Sequence, residues 1–152
     1  MVDVISRPGP QVTASELHDL LRLRVDVFVV EQECPYPEVD GLDLLPSTTH
    51  VWATREGELA CTLRLLDPHG PEGALVVGRV VTAPGHRGAG LAGDLMRWVL
   101  EQHGQREIEL EGQSHLVGWY ERFGFTPAGA ELVIDGIPHT PMRRPAGGDG
   151  SA

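Results

Sequence analysis

The residues best suited to hold a charged ligand stand together in one stretch, Gly78-Arg-Val-Val-Thr-Ala-Pro-Gly-His-Arg-Gly-Ala-Gly-Leu-Ala-Gly-Asp-Leu-Met96. An apolar, β-branched run ends at Pro84, and the chain then passes through Arg87, Gly88, Ala89, Gly90, Leu91 and Ala92 into a helical pattern. Small residues let the backbone come close to a ligand. A helix opening at Leu91 would aim free N–H groups and a positive dipole end at the same point, an arrangement suited to phosphate. Arg87 adds a fixed positive charge. Two spacings overlap here. Residues 88–93 spell G-x-G-x-x-G, with Glu109 and Glu111 near the distance of a ribose-binding acid. Residues 87–92 spell R-x-x-G-x-A after Pro84. A plain strand-to-helix turn fits both.

Composition narrows the chemistry. A chain of 152 residues forms one domain with a proper core, here placed at 1–145, and a disordered tail at 146–152. All 12 basic residues are arginine, so neither a Schiff-base lysine nor a P-loop lysine exists. A net charge of −10 argues against nucleic acid and favours a cationic partner. No apolar run reaches membrane-spanning length, and the N-terminus lacks the pattern of a signal peptide, so a cytoplasmic location is expected. Cys34 and Cys61 form no C-x-x-C and no histidines show H-E-x-x-H spacing, so no metal is expected.

The positioning elements follow from periodicity. An edge strand is expected at 2–5, and Thr13-Ala-Ser-Glu16 is a capping box opening a helix to about residue 31. Arg22 and Arg24 flank its apolar stripe, so at least one is expected at the surface. The loop at 31–43 is rich in carboxylates. Glu33 and Glu38 read as solvated, and Glu31 and Asp40 as either solvated or facing a cleft. Strands are expected at 48–54, 58–66 and 75–82, a helix from 91 to about 103, a strand at 107–111 and a second helix at 115–123. Asp135-Gly136 joins a last hairpin, 131–134 with 137–143, whose Pro138 and Pro141 predict an edge or bulged strand.

This order excludes the dinucleotide fold, which needs its glycine fingerprint after the first strand and several βα units beyond it. Here three β segments precede the loop and about sixty residues follow it. The R-x-x-G-x-A loop resembles the pyrophosphate loop of the GNAT acetyltransferases. Four further blocks resemble their ElaA-like subfamily: Leu21-Arg-Leu-Arg-Val-Asp-Val-Phe-Val-Val-Glu-Gln32, Cys34-Pro-Tyr-Pro-Glu-Val-Asp-Gly-Leu-Asp43, Gly112-Gln-Ser-His-Leu-Val-Gly-Trp-Tyr120 with Gly124-Phe125, and Asp135-Gly-Ile-Pro-His139. The likeness covers residues 15–143. Gly112 stands where that family usually has alanine, and Ile134 where it usually has an acid, so no catalytic role is assigned to the hairpin.

The resemblance implies an α/β (α+β) GNAT acyl-CoA N-acyltransferase fold, with a mixed central sheet flanked by helices and strands splayed around the cofactor. It implies transfer of an acetyl group from acetyl-CoA to a primary amine, small-molecule or peptide, by direct attack. A noncatalytic acyl-CoA-binding module is the alternative, and a homodimer is compatible with either. Amides between Arg87 and Ala92 would cradle the pyrophosphate, Val80, Val81 and Thr82 would pair with the pantetheine, and Gln113 would contact the cofactor. An N–H near Val81 would stabilise the oxyanion. Tyr120 stands where the family commonly has the acid that protonates the thiolate. Glu31, Glu111, His50 and His139 are the candidate bases.

Overall fold

The computed structural model describes residues 2–147. The tail expected at 146–152 therefore lies outside the described residues from position 148 onward. Eight strands form one sheet in the order β1-β2-β3-β4-β5-β8-β6, with β7 paired to β8. These are β1 (Val4–Pro8), β2 (Thr49–Arg55), β3 (Glu58–Leu66), β4 (Leu75–Thr82), β5 (Ile108–Gln113), β6 (Thr126–Pro127), β7 (Leu132–Ile134) and β8 (Ile137–Arg144). The helices are α1 (Ala14–Arg24), α2 (Leu91–His103) and α3 (Val117–Glu121). The mixed sheet with flanking helices is the expected class.

The first helix starts as its sequence dictates. Thr13 accepts from the Glu16 N–H while Glu16 accepts from the Thr13 N–H, closing the capping box. It does not stay α-helical. From Val25 to Glu31 it widens into a π-helix, whose longer bonds run on into the turn as Gln32 N–H to Val27 O and Cys34 N–H to Val29 O. Four valines in that segment crowd the preceding turn of a tight α-helix, which favours the wider coil. Val27 and Phe28 then pack with Leu23 on Val81, covering one face of β4. The opposite face is the main core, where Leu95, Met96 and Val99 of α2 meet Val51, Leu63 and Val77.

Two features position the site. β4 and β5 run parallel but pair only at Leu75↔Ile108 and Val76↔Glu109, so beyond Val76 the two strands part. β4 also carries a bulge. Gly78 pairs Arg64 and Val81 pairs Thr62, which leaves Arg79 and Val80 opposite Leu63 alone.

The last strand departs from expectation. β8 is interior, with β5 on one side and the short β6 and β7 on the other. Pro141 sits where the second side is broken, between the pairings of β7 at Ile137–His139 and of β6 at Met142–Arg143, so its missing N–H interrupts no continuous ladder. The two-residue β6 has too little periodicity to show in the sequence.

Candidate active site

The parting of β4 and β5 opens a cavity of about 1190 Å³. Its walls are the bulged half of β4, the end of β5, the π-helix with the acidic loop, and the tip of the β7–β8 hairpin. That volume exceeds the roughly 300–1,000 Å³ of an ordinary ligand pocket and so leaves room for a large ligand.

At one mouth lies the glycine loop. Gly88 and Gly90 have φ of +84° and +75°, left-handed values that glycine adopts without strain. Gly90 caps α2 with no side-chain cap, so the N–H groups of the first turn have no intrahelical partner. Thr82, Arg87 and Ala92 line the cavity, whereas Gly88, Ala89 and Gly90 are exposed and do not line it, Ala89 facing a separate hollow beside Val2 and Asp94. Leu91 turns the other way, into the core. Arg87 holds Glu31 of the π-helix through two bonds of 2.6 and 3.1 Å. This pair bridges the loop to the opposite wall and keeps the Glu31 carboxyl below its ordinary pKa. A carboxylate so held is a poor base.

Deeper in, Val80 and Val81 form the β4 wall and Glu111 and Gln113 the β5 wall. Gln113 donates to Gln32 Oε1 at 3.4 Å, linking β5 to the turn after the π-helix. Tyr120, on α3, lines the same space with its ring only 6 % exposed. Trp119 and Phe125 meet it edge-on at centroid distances of 4.9 and 6.3 Å. Burial alone pushes its hydroxyl up to about 12. It therefore holds its proton at neutral pH, as a proton donor must.

His50 lies elsewhere. It is 1 % exposed, bonds through Nε2 to the Asp43 carbonyl at 2.8 Å, and is not among the cavity's lining residues. Its place on β2, two strands from the cleft, makes it a core histidine, and burial lowers its pKa. Two other histidines, His115 and His139, line the cavity, and the second lies on β8. Its Nδ1 lies 2.8 Å from the Ile137 carbonyl, which can only accept. The neutral ring therefore carries its proton on Nδ1 and leaves Nε2 free to accept.

In the acidic loop Glu33 is exposed as expected, whereas Glu38 is buried. Glu38 is 3 % exposed and Arg24 1 %, and they bond at 2.7 Å. Arg24 also grips Asp43 with both terminal nitrogens, at 2.7 and 3.2 Å. Arg64 bonds Asp43 at 3.1 Å and Asp40 at 2.5 Å, and Arg79 bonds Glu38 at 2.8 Å. Three guanidinium groups thus meet three carboxylates, and the cluster is neutral as a whole. Arg24, Arg64, Glu38 and Asp43 are buried while Asp40 and Arg79 stay partly in water, and the balance matters because an unmatched buried ion is expensive. Of the two helix arginines, Arg22 is the surface one, 3.8 Å from Asp26. Asp40 is turned to Arg64 and Arg79, while Glu31 reaches the cavity rim. No residue spacing signalled the role of Arg79, because its partners come from a loop some forty residues away.

Buried Cys61 lies on β3 with Sγ 3.4 Å from the Thr82 hydroxyl, and burial raises its thiol to about 11. Among the described residues no group of three or more His, Cys, Asp or Glu side chains is placed to hold a metal ion. Nor is any helix among them long and apolar enough to cross a membrane.

Known proteins match this arrangement closely. The family model of the acetyltransferase (GNAT) domain matches residues 25–145. A UPF0039 protein of Mycobacterium tuberculosis is 46% identical over 137 residues, covering 89% of this chain and 88% of its own. Protein ElaA of Escherichia coli is 36% identical over 138 residues, 88% of this chain and 90% of its own. The crystal structure of that ElaA superposes with a TM-score of 0.87 over 95% of this chain and 99% of its own, at 34% identity. An acyl-CoA N-acyltransferase from Pseudomonas aeruginosa does so at 0.85, with 43% identity over 94% of this chain and 99% of its own. The chain belongs to the GNAT acetyltransferase family, in its ElaA-like branch, and is an acyltransferase.

Proposed function

We propose that the protein transfers the acetyl group of acetyl-CoA directly to a primary amine. The observation that carries this reading is one continuous path. It runs from the Arg87 loop, along the parted edges of β4 and β5, to the buried hydroxyl of Tyr120. The loop amides and the start of α2 suit a diphosphate. Beyond Val76 the β4 edge has no strand partner on the β5 side, so its N–H and C=O groups can pair with an extended amide chain such as pantetheine. An acyl-CoA cofactor also accords with the Pseudomonas aeruginosa relative, named as an acyl-CoA N-acyltransferase.

In this reading the acyl carbon lies beside the β4 bulge. The amine nitrogen attacks it, the carbonyl electrons move onto oxygen, and an N–H at Val80 or Val81 stabilises the charge. When the tetrahedral intermediate collapses, the C–S bond breaks, Tyr120 gives its proton to the sulfur, and the proton shed by the new amide nitrogen returns through water to the phenolate. The amine arrives as an ammonium ion and must first lose a proton. Glu111 and His139, on neighbouring strands of the open face, take it through water. A cationic acceptor in a cytoplasmic setting suits a protein of net charge −10.

The test is thiol release from acetyl-CoA against a panel of diamines, amino sugars, amino acids and peptide N-termini, with calorimetry of acetyl-CoA, CoA and NAD alongside. Turnover with one amine class and binding of both CoA forms are expected. NAD binding, or no turnover with any amine, rejects the reading.

A further inference from the structure

Four described residues other than glycine have a left-handed backbone: Glu33, Glu56, Arg79 and Asp135. Glu33, Glu56 and Asp135 lie in turns. Arg79 alone lies inside a strand, at φ +53°, on the bulge of β4 and in the wall of the cavity. A residue with a Cβ reaches this conformation only where the surroundings hold it there.

Its side chain is held from three sides. Nε donates to Glu38 Oε2 at 2.8 Å, Nη2 reaches Asp40 Oδ2 at 3.5 Å, and the guanidinium lies 5.8 Å from the centre of the Tyr36 ring. Glu38 is itself fixed. Its Oε2 also accepts from Arg24, and the Tyr36 hydroxyl donates to its Oε1. The anchor is therefore a buried carboxylate set by α1 and the loop at 32–43, not a solvated ion pair that would fluctuate.

We propose that Arg79 is a positioning residue for acyl transfer. By gripping Glu38 it holds the bulge in its left-handed form and so fixes the direction of the Val80 and Val81 N–H groups, keying the cofactor wall to the loop opposite. This rests on the acetyltransferase reading above. A misplacement of such donors by about 1 Å is enough to slow a reaction about 10²-fold.

The test compares Arg79→Ala and Arg79→Lys with the unaltered protein, by steady-state kinetics with acetyl-CoA and the amine found in the screen, and by amide NMR. In Arg79→Ala we expect kcat to fall about 10- to 100-fold while KM for acetyl-CoA stays within about threefold. The Val80 and Val81 amide resonances should move more than those of the core. Arg79→Lys, which keeps a donor for Glu38, should recover most of the rate. A kcat for folded Arg79→Ala within about twofold of the unaltered protein overturns the positioning role alone. So does a loss that lysine does not relieve while the Val80 and Val81 resonances stay put. Absence of turnover in the unaltered protein removes the acyl-transfer reading and this role with it.

Discussion

The ring of Tyr120 rests on the backbone of Gly112. A Cβ at residue 112 would stand 2.8 Å from Cε2 and 3.0 Å from Cδ2 of that ring. With Trp119 and Phe125 edge-on to it, the phenol has no room to retreat without moving its neighbours. The glycine therefore sets how far the hydroxyl reaches into the cleft.

Gly112→Ala is expected to displace the ring and cost about 1–3 kcal/mol of stability, as overpacking does. If the hydroxyl's position matters to turnover, kcat should fall by more than the loss of folded protein explains. Denaturant unfolding and kinetics on the same samples separate the two effects.

Tyr120→Phe keeps the packing and removes the proton. Turnover should fall about 10²–10⁴-fold, with the melting temperature little changed. Because burial raises the hydroxyl to about 12, its ionisation should not limit the rate at any pH below about 11. A rate profile that falls near pH 10, roughly the pKa of an unperturbed phenol, and does so through Tyr120 itself would contradict the raised pKa.

Arg24 is the centre of the buried charge cluster. Arg24→Met would leave Glu38 and Asp43 without their main partner, and removing one member of a buried pair costs about 3–5 kcal/mol. For a domain of this size that is a fall in melting temperature of about 10 °C or more. Adding Glu38→Gln should recover part of it, because a neutral amide tolerates burial better. No recovery would mean that Asp43 carries the whole penalty.

Stability should respond to pH in two steps. Burial lowers the pKa of His50, so the fold favours the neutral ring. Its contribution is full above about 6.5, the unfolded value, and declines as pH drops below it. Hydrogen bonds from Arg64 hold Asp40 down to about 2. Burial would raise Asp43, but Arg24 and Arg64 outweigh it and keep it low as well. These carboxylates stabilise fully above about pH 4 and lose that contribution as pH falls toward 2. The melting temperature should thus be flat near pH 7, decline below 6.5 and drop steeply below 4. His50→Gln, which keeps a donor for the Asp43 carbonyl, should shrink the first step, to which half-buried His103 also contributes, and leave the second unchanged.

Much of the architecture was legible because it is written in local chemistry. The Thr13–Glu16 capping box, the alternation along residues 58–66, the glycine loop before Leu91 and the Asp135-Gly136 turn each depend on neighbours within a few positions. So did the resemblance to the family, which rests on short blocks in order. The same local rules reach the end of the first helix near Glu31 but not the π winding of its second half, nor the interior place of β8, which depends on strands far from it in the chain.

What the amino-acid sequence alone determined was most of the elements, their order and the place of the glycine-rich turn between β4 and α2. Only the tertiary structure decided which charged groups meet. Glu38 lies 14 residues from Arg24 and 41 from Arg79, and no periodicity relates them. Likewise His50 and His139 look alike as residues on strands, yet one packs against Asp43 and the other opens on the cavity. The reason is physical. A helix or turn is selected by interactions a few residues long, whereas the burial of a charge depends on a partner that only folding brings within 3 Å or so.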